Sequence, residues 1–170
     1  MIQTELKTRR MLPSRIVRAM LAAMIAVGAL IAGSTSASAD PVCRQTNGSN
    51  ICFSIEPIGN NDYAVHIGID VTMSRQDAEA ILAPPGDEFL AKLYGDDYWY
   101  DNFLKYVPLT WSAAWDGGLS AEFDGVVDGC VLDEDYGGGD EVYGRVFLYD
   151  HRSNTTRTFD TNVISRSFSC

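Results

Sequence analysis

The stretch from Asp128 to Tyr143, DGCVLDEDYGGGDEVY, concentrates the side chains of this protein best suited to chemistry. Asp133, Glu134 and Asp135 precede Gly137-Gly138-Gly139, and Asp140 and Glu141 follow it. Between Lys105 and Arg145 there is no Lys, Arg or His, while the same interval also holds Asp116, Glu122, Asp124 and Asp128. These acids therefore face water, bases from elsewhere in the chain, or a cation. Carboxylate oxygens on a glycine-rich loop suit Ca²⁺, which takes about six to eight oxygen ligands in adaptable geometry. The glycines let the backbone turn tightly and present its carbonyls. An EF-hand does not fit, because the twelfth position counted from Asp133 is Gly144, where a bidentate Glu is required. A catalytic Mg²⁺ is disfavoured, since no phosphate-cradling loop accompanies the acids. The plainer alternative is a solvated acidic loop.

Other groups offer less. His66 falls on the polar side of an alternating segment and His151 in a turn, which favours surface or packing roles. Ser120 lacks the G-x-S-x-G elbow, because Glu122 stands where the last glycine belongs. Paired carboxylates could serve a small hydrolase, including glycoside cleavage. With so many acids that reading selects no particular pair. Tyr98-Trp99-Tyr100, Trp111 and Trp115 could form a sugar-stacking or protein-contact surface. Strand-like alternation would instead put Tyr98 and Tyr100 on one face and Trp99 on the other, with core packing as the plainer role.

The elements that must position these groups begin after residue 39. Lys7, Arg9, Arg10, Arg15 and Arg18 precede an apolar run from Ala19 to Gly33, and Ala37-Ser38-Ala39 fits a signal-peptidase site. Residues 1–39 thus read as a signal peptide cleaved after Ala39, and 40–170 as a single secreted domain. The leader takes five of the 13 Lys+Arg and one of the 23 Asp+Glu. Eight basic and 22 acidic residues remain, a net charge of −14. Such a surface repels nucleic acid and anionic membranes. An unknown protein or carbohydrate is the expected partner.

Cys43, Cys52, Cys130 and Cys170 all follow the leader, an even count for an oxidising compartment. The turn signal Asn47-Gly48 favours Cys43–Cys52, which leaves Cys130–Cys170. A four-thiolate metal site is the alternative, and it lacks any Cys-x-x-Cys pair.

Ile51–Pro57, Tyr63–Val71 and Leu119–Phe123 alternate apolar and polar residues as half-buried strands do. Further strands are expected at Phe89–Tyr94, Phe103–Val107, Val142–Tyr149, Thr155–Thr161 and Val163–Phe168. Ser74, with Asp77 three residues later, opens one short helix that Pro84-Pro85-Gly86 stops. About eight short strands and one short helix predict an all-β fold, a disulfide-stabilised antiparallel β-sandwich.

Asp133-x-Asp135-x-Gly137-x-x-Asp140-Glu141-Val142-Tyr143 resembles the first calcium loop and following strand of the C-two-type calcium-binding β-sandwich. Gly95-Asp96-Asp97 with Asp101-x-Phe103-Leu104 resembles the second such loop. The two occur in reversed order, so the resemblance implies a permuted topology. It also implies that both loops meet at one end of a sandwich, with Asp96, Asp97, Asp101, Asp133, Asp135, Asp140 and Glu141 as Ca²⁺ ligands. The basic patch with which that family meets phosphoinositides has no counterpart here. The expected function is a non-enzymatic, Ca²⁺-binding interaction module. Its alternatives are a carboxylate-based hydrolase and a metal-free, disulfide-stabilised inhibitor or adhesion factor.

Overall fold

Tyr63, Val65, Ile67, Ile69 and Val71 form the inner face of strand β3 (Asp62–Thr72), and each is at most 5% exposed. The computed structural model describes residues 41–46, 48–84, 88–133 and 139–170. Residues 1–40, 47, 85–87 and 134–138 lie outside them, among them the expected signal peptide and Glu134, Asp135, Gly137 and Gly138. In chain order, β1 (Val42–Thr46) and β2 (Ser49–Gly59) precede β3 and helix α1 (Arg75–Leu82). Then come β4 (Phe89–Gly95), β5 (Asn102–Val107), β6 (Leu109–Trp115) and β7 (Gly118–Asp128). A four-residue helix α2 (Gly129–Leu132), β8 (Asp140–Asp150), β9 (Thr155–Asp160) and β10 (Ile164–Arg166) complete the described elements.

The strands form two antiparallel sheets. The first is ordered β1-β2-β3-β7-β6; the second is ordered β10-β8-β4-β5, with β9 also paired to β8. Their inner faces meet in one core that includes Phe53, Ile67, Phe123, Leu93 and Leu148. Phe89 from the second sheet stands edge-on to Phe123 from the first, with ring centroids 6.0 Å apart. Burying each such side chain contributes about 1.5–3 kcal/mol, so the facing sheets are the main source of stability. The expected all-β sandwich is the fold found, with ten described strands rather than about eight and a second very short helix.

Local chemistry explains the connections. The β2–β3 turn puts Gly59, Asn60 and Asn61 at positive φ, which Gly and Asn tolerate best. The Ser74 hydroxyl accepts the Asp77 backbone N–H at 3.0 Å and caps α1, whose Ala78 and Ile81 are buried. Val107-Pro108-Leu109 carries the chain from the edge of one sheet to the edge of the other.

Both disulfides pair as the spacing predicts. Cys43 and Cys52 face each other across β1 and β2, and Cys130 joins Cys170. Chain-entropy reasoning from loop lengths assigns them about 2.7 and about 3.9 kcal/mol. The second bridge fastens a C-terminal strap whose Phe168 packs edge-on against Tyr63 and whose Ser169 N–H reaches the Tyr63 hydroxyl. No described helix is long and apolar enough to cross a membrane.

Candidate functional site

The two acidic loops predicted from the sequence flank paired strands. Gly95 at the end of β4 lies opposite Val142 in β8, and the Asp96 N–H donates to the Glu141 carbonyl at 2.7 Å. Backbone pairing therefore brings the Asp96–Asp101 loop beside Asp140-Glu141. The side chains take separate roles. Asp140 points inward, is 1% exposed, and accepts the Phe168 backbone N–H through Oδ2. Asp133 is the C-cap of α2, its N–H bonded to the Gly129 carbonyl. Asp135 lies outside the described residues. Among the described residues, no three His, Cys, Asp or Glu side chains are grouped to hold a metal ion.

Asp97 and Asp101 hold the ends of a loop. Asn102 Nδ2 donates to Asp97 Oδ2 at 2.7 Å, and the Tyr143 hydroxyl donates to Asp101 Oδ2 at 2.5 Å. Arg145 Nη2 lies 3.7 Å from the same Asp101 oxygen, while its Nε and Nη2 hold both oxygens of Asp160. Tyr94 stacks on Tyr143 with centroids 5.6 Å apart, and the Arg145 guanidinium lies 5.1 Å from the first ring and 5.3 Å from the second. Burial, and then the Asp101 carboxylate, push the Tyr143 hydroxyl well above its ordinary pKa. It therefore stays protonated and keeps donating at every physiological pH.

Between these fastened ends project Tyr98, Trp99 and Tyr100, which are 91%, 84% and 73% exposed. None of the three rings is in the core, so the expected strand-like alternation with core packing is not found. Residues 96–101 form no strand, so nothing turns successive rings to opposite faces. Tyr98 and Trp99 instead meet edge-to-face at 4.9 Å. The aromatic surface continues along the outer face of the second sheet. There Phe103 and Tyr106 are half exposed, and the Lys92 ammonium lies 5.2–5.9 Å from the rings of Phe147, Tyr106 and Phe103. A shallow cavity of about 500 Å³ extends it, lined by Phe89, Leu90, Phe147, Tyr149 and Thr156. Trp111 and Trp115 lie apart from this face, on edge strand β6 of the first sheet.

A second polar cluster occupies the outer face of the first sheet. The β3–β7 register sets His66 opposite Asp124 and Gly68 opposite Glu122. His66 Nδ1 lies 2.8 Å from Asp124 Oδ1, and Nε2 lies 3.2 Å from Glu122 Oε2. Thr110 donates to Asp124 Oδ2 at 2.5 Å. Glu122 Oε2 is enclosed without a well-angled hydrogen bond, despite its nearness to the ring. Burial raises the Glu122 pKa, with Asp124 and Asp70 adding to the rise and His66 opposing it. The Asp124 pKa falls, first through Thr110 and then through His66. A Cβ on Gly68 would stand 2.8 Å from Glu122 Oε2, so the glycine makes room for this carboxylate. Both ring nitrogens of His66 face carboxylates, an arrangement that orients the imidazole and offers neither nitrogen to a nucleophilic hydroxyl.

Bases from outside the acidic interval thus reach several of its members: His66 meets Glu122 and Asp124, and Arg75 meets Asp116 at 3.3 Å. Sequence reasoning did not connect Asp101 with Tyr143, or His66 with Asp124. The signal available was the strand pairing itself, since the matching register of β3 and β7 aligns the second pair. No protein-family model, curated protein or solved structure matches the chain.

Proposed function

We propose that this protein is a secreted, non-enzymatic binding module whose contact surface is the Tyr98-Trp99-Tyr100 loop and the adjoining aromatic face of the second sheet. The observation that carries the reading is three consecutive large aromatic side chains, each at least 73% exposed, on a loop fastened at both ends. Soluble proteins seldom leave such a contiguous apolar patch in water unless it meets a partner. Tyr and Trp lose little rotamer freedom on binding and dominate interface energetics. Fastening through Asp97 and Asp101 lowers the ordering cost further, because the loop is held before the partner arrives. Export through a signal peptide cleaved after Ala39 agrees with the two disulfides, which persist in oxidising compartments.

The test is a panel of immobilised glycans and extracellular proteins, probed with this chain and with its Tyr98→Ser/Trp99→Ser/Tyr100→Ser variant. The expected result is a ligand bound by the parent and lost by the variant, with unchanged unfolding midpoints. A variant that keeps every binding partner of the parent overturns the reading.

A second reading, a Ca²⁺ site at the same end of the second sheet, draws support from the hydrogen bond between Asp96 N–H and the Glu141 carbonyl. That contact joins the backbones of Asp96 and Glu141, and the Asp96 side chain is exposed. In this reading Asp96, Asp97 and Glu141 supply oxygens, together with Asp133 and Asp135.

A further inference from the structure

We propose that the partner of the aromatic loop is a protein surface that presents arginine side chains. The inference rests on the reading of the loop as a contact surface and adds the chemistry of what it contacts.

Charge supplies the first argument. Residues 40–170 carry a net −14, and Asp96 and Asp97 immediately precede the exposed rings while Asp101 follows them. A field of that sign draws cationic partners toward the loop and slows anionic ones. Aromatic faces attract a cation at close range, and carboxylates beside them supply a planar guanidinium with hydrogen-bond acceptors.

The second argument comes from the protein's own arginines. Arg145, next to the loop, lies over Tyr94 and Tyr143 while Asp160 holds its guanidinium. Arg166 lies 5.5 Å from the rings of Tyr63 and of Phe168, and Arg157 lies 5.0 Å from Phe159. Among the described residues, aromatic rings thus receive three guanidinium groups as well as the Lys92 ammonium, and Arg145 has carboxylate support. The exposed loop brings the same residue types together in sequence, with Asp96 and Asp97 immediately before its rings. Asp97 accepts one hydrogen bond from Asn102 through Oδ2, and a carboxylate has acceptor capacity beyond that. Arginine fits better than lysine, because its flat, weakly hydrated guanidinium stacks on rings and bridges carboxylates together.

The experiment titrates the disulfide-intact chain with fluorescein-labelled hexa-arginine, hexalysine and hexaglutamate, and separately with cellohexaose, at about 0.15 M salt. The expected result is that hexa-arginine binds most tightly and hexaglutamate does not bind. Trp99→Ala should weaken hexa-arginine by about tenfold, while Trp99→Phe restores part of the loss. Neither substitution changes net charge, so a diffuse acidic surface would not respond to them. Tyr98→Ala provides an independent variant at a still more exposed position. If hexa-arginine and hexalysine bind equally and ignore Trp99→Ala, the attraction is diffuse and the inference is overturned. If hexa-arginine does not bind, it is overturned as well. If cellohexaose alone binds and depends on Trp99, the arginine inference fails while the loop stands as a contact surface.

Discussion

The Tyr143 hydroxyl donates to Asp101 Oδ2 at 2.5 Å, tying a strand residue to the loop that carries Tyr98, Trp99 and Tyr100. Tyr143 is 5% exposed although it lies on the outer face of its sheet, because Tyr94 and the Asp101 end of the loop cover it. Tyr143→Phe removes one hydrogen bond to a charged acceptor, a loss of about 1.5–3 kcal/mol. Urea unfolding measures the stability, and amide hydrogen exchange over residues 96–102 measures the loop. Faster exchange confined to the loop is the expected companion. A variant with unchanged stability and exchange would show that Asp101 does not hold the loop.

The two carboxylates beside His66 should respond to pH with opposite signs. Asp124 has its folded pKa below the ordinary 3.8, through Thr110 and then His66. It therefore adds stability above its unfolded pKa, and that contribution disappears as pH falls through the folded value. Glu122 has its pKa above the ordinary 4.5, chiefly through burial. Its ionised form costs stability at neutral pH, and the cost vanishes below the unfolded pKa. Asp124→Asn should lower the unfolding midpoint at pH 7 and converge with the parent in acid. Glu122→Gln should raise the midpoint at pH 7 and also converge in acid. Thermal unfolding between pH 3 and 8 reads both, and equal shifts of one sign at pH 7 would contradict the assignment.

Much of the sandwich was legible where one face is buried and the other wet. Tyr63–Val71 alternates because Val65 and Ile67 meet the opposite sheet while His66 and Gly68 face outward. Strand β1 carries no such signal, since all five of its residues are exposed and the Cys43–Cys52 bridge and β2 pairing hold it. Strand β6 was missed for a related reason. Its residues are exposed or half-buried along an edge, so Trp111 and Trp115 break the alternation instead of marking it. The last strand shortens to Ile164–Arg166, because Phe168 leaves the ladder to pack on Tyr63 within the strap. At the site, residue types were readable but contacts were not. Asp101 and Tyr143 are joined by the order of strands β4, β5 and β8, which no local pattern contains.

The strap at the C-terminal end makes the second disulfide the more consequential one. Cys130→Ser/Cys170→Ser should cost about 3.9 kcal/mol, against about 2.7 kcal/mol for Cys43→Ser/Cys52→Ser. The same strap can be tested without touching a cysteine. A Cβ on Gly129 would stand 2.0 Å from the Ser169 carbonyl oxygen and 2.9 Å from that of Asn61, both backbone atoms that cannot rotate away. Gly129→Ala should therefore displace the strap and expose Phe168 and Tyr63. Denaturant unfolding gives the order of stabilities, and a tolerated Gly129→Ala would mean that the strap is not packed against α2.

Calcium gives a prediction whose outcome separates the two readings of the acidic loops. A cation bound only by the folded chain stabilises it by mass action, about 2.7 kcal/mol when free Ca²⁺ is a hundredfold above the dissociation constant. The shared site would need oxygens from both loops, and one hydrogen bond joins the backbones of Asp96 and Glu141. Asp101 and Asp140 are poorer donors than their sequence positions suggest. The first is engaged by Tyr143 and Arg145, and the second is buried against Phe168. Binding through the loops should therefore raise the unfolding midpoint in Ca²⁺ relative to chelator. It should depend on Asp96, Asp133 and Asp135, and survive Asp101→Asn. A midpoint that ignores both Ca²⁺ and Asp133→Asn overturns the calcium reading and leaves Asp97 and Asp101 as the acids that fasten Tyr98-Trp99-Tyr100. In that case hexa-arginine binding, measured with and without chelator, should not change.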